Sequence, residues 1–318
     1  MKRTILFLSL ALVLQLALAL TLQLADKSGK SGTSQGKLLA IKVDQIDTVR
    51  IEGSGGDSVL LRKTGGKWTL PEHFDAPGDS QKIEGMVTTL TGIQRSWPVA
   101  ETGEAVKRFK VGDEGFERRL SFKAGDKELA VLYLGTSPGF RKVHARVGKE
   151  EQVFDIPFST FQASLKNADW VNKQLLWIDS ETITAIELPD CRLIRTDGEW
   201  TLADIAENEE TEQEKARQVA QQLARINFQD IYAKDADPLS DPVELKIRLE
   251  LKDGPSRNYE FFKKDDQPHA LLKVSGEPFL FKVGTTVMEE LQETTRSKLI
   301  KPRETTTQPS LEPEKAEG

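Results

Sequence analysis

Gly65-Gly66-Lys67-Trp68-Thr69-Leu70 decides the fold, because the chain repeats the pattern at Asp197-Gly198-Glu199-Trp200-Thr201-Leu202. Each copy follows an apolar, alternating run and precedes a helical pattern. A Gly-Gly dipeptide between two apolar runs is typical of a β-hairpin, because glycine readily adopts a positive φ. We therefore predict two copies of one unit, in which Trp68 and Trp200 anchor the hairpins to the core. The alternative is that both indoles are surface platforms for carbohydrate.

The helix that follows each hairpin supports the same interpretation. Its apolar positions follow the spacing of one helix face. Five of them recur at a constant offset of 133 residues: Ile83 with Ala216, Met86 with Val219, Val87 with Ala220, Leu90 with Leu223, and Ile93 with Ile226. The acid-rich stretch Asp204–Glu214 precedes only the second helix, and we expect it to extend that helix or its loop.

Matches continue after the helix, but at offsets that change by small steps. They are Leu120 and Phe122 with Leu249 and Leu251 (offset 129), His144 with His269 (offset 125), and Phe154, Phe161 and Leu165 with Leu280, Val287 and Leu291 (offset 126). Insertions and deletions in turns would produce such drift. On this alignment the two histidines are packing residues inherited from one ancestral unit; the alternative is that they are ligands or general bases.

The fold class that follows is α+β with two tandem repeats, each a mostly antiparallel sheet with one longer and one short helix. The first repeat is expected at residues 38–170, with its short helix at Ser159–Leu165, and the second at residues 171–300. An apolar join around Trp170 and Trp177 is expected to be packed. The polar, Pro-rich residues 301–318 are expected to be disordered.

The N-terminus predicts a membrane anchor. Residues 5–24 contain no charged side chain and follow Lys2 and Arg3, which favours a single transmembrane helix within residues 1–25. The alternative is a signal peptide cleaved after Ala17-Leu18-Ala19, but the apolar run continues beyond that point. Residues 26–37 are rich in Gly, Ser and Lys and predict a flexible linker. The expected location is the cytoplasmic membrane, with the main body outside the cytoplasm.

Composition narrows the classes of function. A net charge of −6 and a pI near 5.4 argue against nucleic acid as a partner. The single cysteine, Cys191, excludes an internal disulfide and a Cys-based zinc cluster, and its alternating surroundings favour burial over reactivity. No catalytic, cofactor or metal site is predicted. Asp235, Asp237 and Asp241 carry oxygen ligands that suit calcium, but the prolines among them favour a surface turn.

The best candidate site is the loop that contains Gly135, Ser137, Gly139, Arg141 and Lys142. Its glycines allow backbone N–H groups to face an anion or a partner, and the two cations would add charge. It lacks the Gly-Lys-Ser/Thr ending of a nucleotide-binding P-loop. The alternative is a wide hairpin connection with solvated basic residues.

Several of these motifs together resemble a known bacterial family. They are Gly66–Leu70 (GKWTL), Arg108–Gly112 (RFKVG), Arg119–Phe122 (RLSF), Leu132–Gly135 (LYLG) and Ser137–Arg146 (SPGFRKVHAR). The chain is similar over most of residues 38–300 to the family called domain of unknown function 4340. Members typically occur beside ABC-type transporter components of the gliding-motility type. The resemblance implies an accessory role in the envelope and carries over no catalytic residue.

The expected function is therefore that of a non-enzymatic envelope protein that interacts with a membrane complex. One alternative is an exported module that binds polysaccharide or peptide, which exposed aromatic side chains in a groove would favour. Another is a hydrolase, which converging titratable groups in a pocket would favour. The identity of the ligand or partner does not follow from the sequence.

Overall fold

The computed structural model describes Gln15 and residues 36–233, 242–263 and 267–303. The chain divides between Val171 and Asn172 into two compact units. We call them the first and the second unit. Both are α+β with mostly antiparallel strands, as the sequence predicts.

The first unit consists of one sheet, a long helix and a short one. Its helices are α1 (Ser80–Gly92) and α2 (Gly103–Arg108). Its strands are β1 (Thr48–Gly53), β2 (Ser58–Thr64), β3 (Lys67–Leu70), β4 (Ala76–Pro77), β5 (Arg118–Ala124), β6 (Lys127–Leu134), β7 (Val143–Val147) and β8 (Phe154–Ile156). The sheet order is β4-β3-β2-β1-β5-β6-β7-β8, and every pairing is antiparallel.

The second unit has helices α3 (Gln213–Ala224) and α4 (Thr285–Gln292). Its strands are β9 (Ile183–Glu187), β10 (Arg192–Thr196), β11 (Glu199–Leu202), β12 (Glu209–Thr211), β13 (Asp230–Ala233), β14 (Leu245–Leu251), β15 (Arg257–Lys263), β16 (His269–Val274), β17 (Phe279–Gly284) and β18 (Ile300–Pro302). The main sheet has the order β11-β10-β9-β14-β15-β16-β17-β13, and β12 pairs with β18. When β4 and β13 are left out, both sheets contain seven strands in an equivalent order: β3-β2-β1-β5-β6-β7-β8 in the first and β11-β10-β9-β14-β15-β16-β17 in the second.

Strand register corrects the alignment of the last four strands. Trp68 pairs with Lys63 and Trp200 with Arg195, which aligns the hairpins. From these pairs the cross-strand partners can be followed through β2 and β1 to β5, and through β10 and β9 to β14. Phe122 then corresponds to Leu249 (249 − 122 = 127). The same offset of 127 aligns Ala145 with Leu272 and Phe154 with Phe281. The offsets of 129, 125 and, for Phe154, 126 are therefore wrong, and no insertion or deletion is needed between these strands.

His144 therefore corresponds to Leu271, not to His269. The match rested on the dipeptide His-Ala, which occurs in both strands at positions two residues apart in register. A shift of two residues keeps a side chain on the same face of a sheet, so the alternation of apolar residues could not reveal the error.

The long helices agree with the sequence alignment. Asp79 caps α1, its side chain accepting a hydrogen bond from the Lys82 N–H. The buried faces match at the offset of 133: Ile83, Met86, Val87, Leu90 and Thr91 in α1, and Ala216, Val219, Ala220, Leu223 and Ala224 in α3.

Three local predictions need correction. The predicted helix at Ser159–Leu165 is only a 3₁₀ turn, Thr160–Gln162, because Phe161 points outward and leaves the turn no apolar face. Part of the acid-rich stretch forms β12, whose partner β18 takes up the first residues of the predicted tail. Trp177 is 38% exposed and stacks on Arg225, whereas Trp170 is buried.

The membrane anchor, the linker and residues 304–318 of the tail lie outside the described residues, apart from Gln15 and residues 36 and 37. In the part of the chain that the structure describes, no helix is both long and apolar enough to cross a membrane.

Both hairpin tryptophans lie in the core. Trp68 is 3% and Trp200 1% exposed, and a cation from the paired strand, Lys63 or Arg195, lies 5.7 Å from each indole. The Trp68 Nε1–H also donates to Glu84, 3.2 Å away. Burial at equivalent positions makes them hairpin anchors, and neither indole is a surface platform.

Glu84 gives a pH-dependent prediction. Lys63 donates to its carboxylate at 2.7 Å and Trp68 donates as well, and these bonds lower the pKa of Glu84 below 4.5. Because the pKa of Glu84 is lower in the folded chain than in the unfolded chain, its carboxylate stabilises the fold at pH values above the unfolded-state pKa. This contribution is lost as the pH falls through the folded-state pKa. At about pH 7 we expect Glu84→Gln to cost less than about 1 kcal/mol, because the pair is partly exposed.

Urea denaturation of the wild type and of Glu84→Gln measures the difference between their free energies of unfolding. This difference should shrink as the pH falls below about 4.5, where the carboxyl group of the unfolded chain takes up its proton. A difference that stays constant down to about pH 3 would contradict the assignment.

Candidate functional site

The candidate loop, residues 135–142, joins β6 to β7 at one end of the first sheet. Its base is fixed by backbone hydrogen bonds: the Gly135 N–H donates to the His144 carbonyl, and the His144 N–H to the Thr136 carbonyl, both at 2.9 Å. Its tip is fixed by Ser137, whose hydroxyl lies 2.8 Å from the carbonyl oxygens of Gly139 and Lys142. The loop is therefore an ordered projection.

Gly135 is required by close packing. A Cβ atom at this position would overlap the carbonyl oxygens of Phe109 and Lys110. The Thr136 N–H donates to the same Phe109 carbonyl at 2.9 Å. The loop is thus pressed against the segment that follows α2, and no side chain fits between them.

A cavity of about 920 Å³ lies beside this loop. All five residues predicted for the site line it: Gly135, Ser137, Gly139, Arg141 and Lys142. Its other wall follows β8 and includes Pro157, Ser159 and Phe161.

Two phenylalanines stand out in this cavity. Phe140 is 87% and Phe161 91% exposed, although each lies on a hydrogen-bonded turn. We call the cavity between the two loops the Phe140–Phe161 cleft. Nearly full exposure of two phenyl rings in one cleft leaves a large apolar area in water, which is typical of a binding surface.

The rim of the cleft is charged. The Arg141 guanidinium lies 4.9 Å from the centre of the Phe140 ring, which holds a positive charge beside an apolar surface. Lys142 adds a second cation, and Glu117 lies across the cleft. This arrangement suits an apolar group that carries a negative charge.

The prediction of an anion held by backbone amides finds less support. The N–H groups of Gly135 and Lys142 donate to the carbonyls of His144 and Gly139. These two amides are therefore committed within the loop and do not face an anion.

The two histidines belong to different units, and each has its own surroundings. His144 is 8% exposed, stacks on Phe109 with ring centres 4.0 Å apart, and places Nδ1 2.7 Å from the Thr136 carbonyl. Its Nε2 lies 3.4 Å from an Asp155 carboxylate oxygen. His269 begins β16 in the second unit, where burial, and then Lys282, lowers its pKa. His144 thus supports the base of the candidate loop.

Arg146 is a buried charge that sequence reasoning missed. It is 4% exposed, and its Nε donates to the Val111 carbonyl at 2.5 Å while Nη1 donates to Gly148. Nη2 pairs with Asp113, and the guanidinium lies 4.4 Å from the centre of the Tyr133 ring. Arg146 therefore fastens the segment after α2 to strand β7.

A small apolar cluster continues this contact on the same face of the sheet. Its members are Val106, Phe109, Val111, Phe116, Val131, Tyr133 and Val153. Both faces of β6 are consequently buried over residues 131–134, which lie in the unbroken apolar run of residues 129–134.

Cys191 and three aspartates are the other candidates from the sequence. Cys191 is half-buried, and burial followed by Asp190 raises the pKa of its thiol to about 12, so the thiol stays protonated. No cluster of three metal-ligating side chains occurs among the described residues. Asp235, Asp237 and Asp241 lie outside them.

Comparisons with known proteins add one result. No curated protein and no solved structure matches the chain. Residues 68–246, more than half of its length, match the family model described as Domain of unknown function (DUF4340). This match covers the first hairpin tryptophan, the Phe140–Phe161 cleft and helix α3. The chain belongs to the DUF4340 family.

Proposed function

We propose that this chain is a non-enzymatic envelope protein, anchored in the cytoplasmic membrane by residues 5–24, that contacts a protein of a membrane complex through the Phe140–Phe161 cleft. The exposure of the two phenyl rings in one cavity is the observation that carries the proposal. An ABC-type transporter or a similar complex is the partner that the family resemblance favours.

The energetics of the cleft support a protein partner. Burying a phenylalanine side chain contributes about 1.5–3 kcal/mol, so two rings in one cleft provide the core of a small interface. The hydrogen bonds of Ser137 and the capping box at Ser159 hold both loops in place before binding. Little conformational entropy is then lost when a partner binds.

The distribution of exposed apolar side chains points to the first unit. Among the described residues, the large apolar side chains that are exposed in this unit are Val43, Phe74, Trp97, Val99, Phe140 and Phe161. Among the described residues of the second unit, the exposed ones of this kind are Trp177 at 38% and Ile194 at 37%. We infer that the two units arose by duplication of one ancestral unit and that the first of them retains or acquired the contact surface.

Photocrosslinking tests the proposal. In the full-length protein, Phe140 is replaced in its native membrane by the photoreactive phenylalanine analogue p-benzoylphenylalanine. We expect one discrete protein adduct, which the same analogue at Phe161 reproduces and Phe161→Ala abolishes. Mass spectrometry of the adduct should identify a membrane-complex subunit.

The matched control places the analogue at Ile194, on the second unit. An equal adduct from this position, or none from either phenylalanine, would contradict the assignment of the cleft. Adducts with polysaccharide in place of protein would favour an exported carbohydrate-binding module.

A further inference from the structure

The position where the chain enters the first unit is fixed. The Leu38 N–H donates to the Ile93 carbonyl at 2.8 Å, and the Arg95 N–H to the Gly36 carbonyl at 2.9 Å. Lys37 and Gln94 form an antiparallel bridge between them. Leu38 is buried, so the residues that follow the predicted linker are held against the end of α1.

Trp97 lies two residues beyond this contact and is 66% exposed. Val99, which follows Pro98, is 46% exposed. The segment is held at its other end as well, because the Val99 N–H donates to the Val153 carbonyl at 2.7 Å. The indole is therefore presented to solvent by an ordered segment, and its exposure is not the result of a frayed end.

Chain length places this segment near the membrane. Gly36 lies twelve positions after Leu24, the end of the predicted anchor (36 − 24 = 12). A flexible Gly/Ser-rich chain of that length spans roughly 20 Å, and two further residues add at most ~7 Å. A unit of this size has a radius of gyration of roughly 14 Å. With the proposed anchor, the edge that bears Trp97 is therefore kept within roughly 27 Å of the bilayer.

We propose that Trp97 and Val99 dock into the headgroup region of the membrane that anchors the chain. The inference rests on the membrane anchoring proposed above. Tryptophan is enriched at this depth, because its ring is apolar while its N–H can bond to water and headgroups.

Cationic side chains lie close to the start of the segment, whereas the acid Glu101 follows Val99. Lys37 and Lys149 line one cavity of about 550 Å³ with Arg95. Of the two carboxylates there, Glu150 is paired with Arg95 at 2.8 Å and Glu128 lies 4.0 Å from Arg119. The lysines therefore add attraction to anionic headgroups.

Fluorescence quenching tests the docking. The full-length chain is reconstituted into vesicles of phosphatidylcholine and phosphatidylglycerol that contain lipids brominated either close to the headgroup or near the chain ends. Among the described tryptophans, Trp68, Trp170 and Trp200 are buried in protein, so quenching by lipid reports on Trp97 or Trp177. We expect stronger quenching by the shallow bromines, lost in Trp97→Phe and unchanged in Trp177→Phe.

Flotation of the vesicles separates the two proposals. If the chain floats with the vesicles but Trp97→Phe is quenched as strongly as the wild type, the docking is refuted and the anchoring stands. If the chain does not float, both are refuted. Quenching that is strongest for the deep bromines would also contradict a position in the headgroup region.

Discussion

Trp200→Ala is expected to lower the free energy of unfolding of the second unit by about 3–5 kcal/mol, the range for truncation of a large aromatic side chain in a core. Trp200 is 1% exposed, and its backbone N–H and carbonyl are both bonded to the Gln213 side chain at the start of α3. Removal of the indole leaves a cavity between β11 and the helix. Trp68→Ala should cost the first unit a similar amount.

Hydrogen exchange of the full-length protein in detergent, followed by mass spectrometry, measures this effect in each unit separately. Trp200→Ala should accelerate exchange in β9–β11 and β14, and leave β1–β3 and β5 close to wild type. Ile194→Thr is the matched control, because this side chain is on the neighbouring strand and is 37% exposed; its effect should stay within about 0.5 kcal/mol. Equal acceleration in both units would contradict two separate cores.

Arg146→Met is expected to destabilise the first unit by about 3 kcal/mol. Methionine keeps much of the side-chain volume but leaves the carbonyl oxygens of Val111 and Gly148 without their donor. A buried acceptor without a donor costs roughly 1–3 kcal/mol. The effect should concentrate in residues 101–117, because Arg146 fastens this segment to the sheet.

Asp113→Asn is the control for the charge of the pair. Hydrogen bonding to Arg146 lowers the pKa of Asp113, but the carboxylate is 68% exposed, so water replaces much of what is lost. We expect its effect on stability to be below about 1 kcal/mol. An Asp113→Asn effect as large as that of Arg146→Met would show that the ion pair, and not the bonds to carbonyl oxygens, fastens the segment. Thermal unfolding monitored by circular dichroism suffices for this comparison.

Sequence reasoning succeeded where the signal is local. Glycine turns and apolar spacing are properties of a few adjacent residues, so both hairpins and the buried faces of α1 and α3 could be predicted. Strand register depends on partners far away in the chain. The true offset of 127 emerges only when the cross-strand pairs are known, and matching of similar residues gave 125 at His144.

The candidate loop could be predicted from its glycines and cations. The two exposed phenyl rings that make the loop part of a binding surface could not. Phe140 and Phe161 are nearly fully exposed, but a phenylalanine in a sequence is expected in the core, and the residues around these two do not indicate exposure. Arg146 was missed for the opposite reason, since arginine is rarely buried. It lies on β7, where residues 143–146 are buried on both faces of the strand, so an alternation of apolar and polar residues does not distinguish it.

The ends of each unit meet the ends of its long helix, and this has a mechanical consequence. In the first unit the incoming chain bonds to Ile93, after α1, and the outgoing chain bonds to Asp79, before α1. In the second unit the Ile178 N–H donates to the Ala224 carbonyl, and the Glu212 N–H to the Leu299 carbonyl. Tension applied between the two ends of a unit is thus borne along a rod of roughly 20 Å and its terminal clamps. The sheet, with its cleft, can keep its shape while the molecule carries a load.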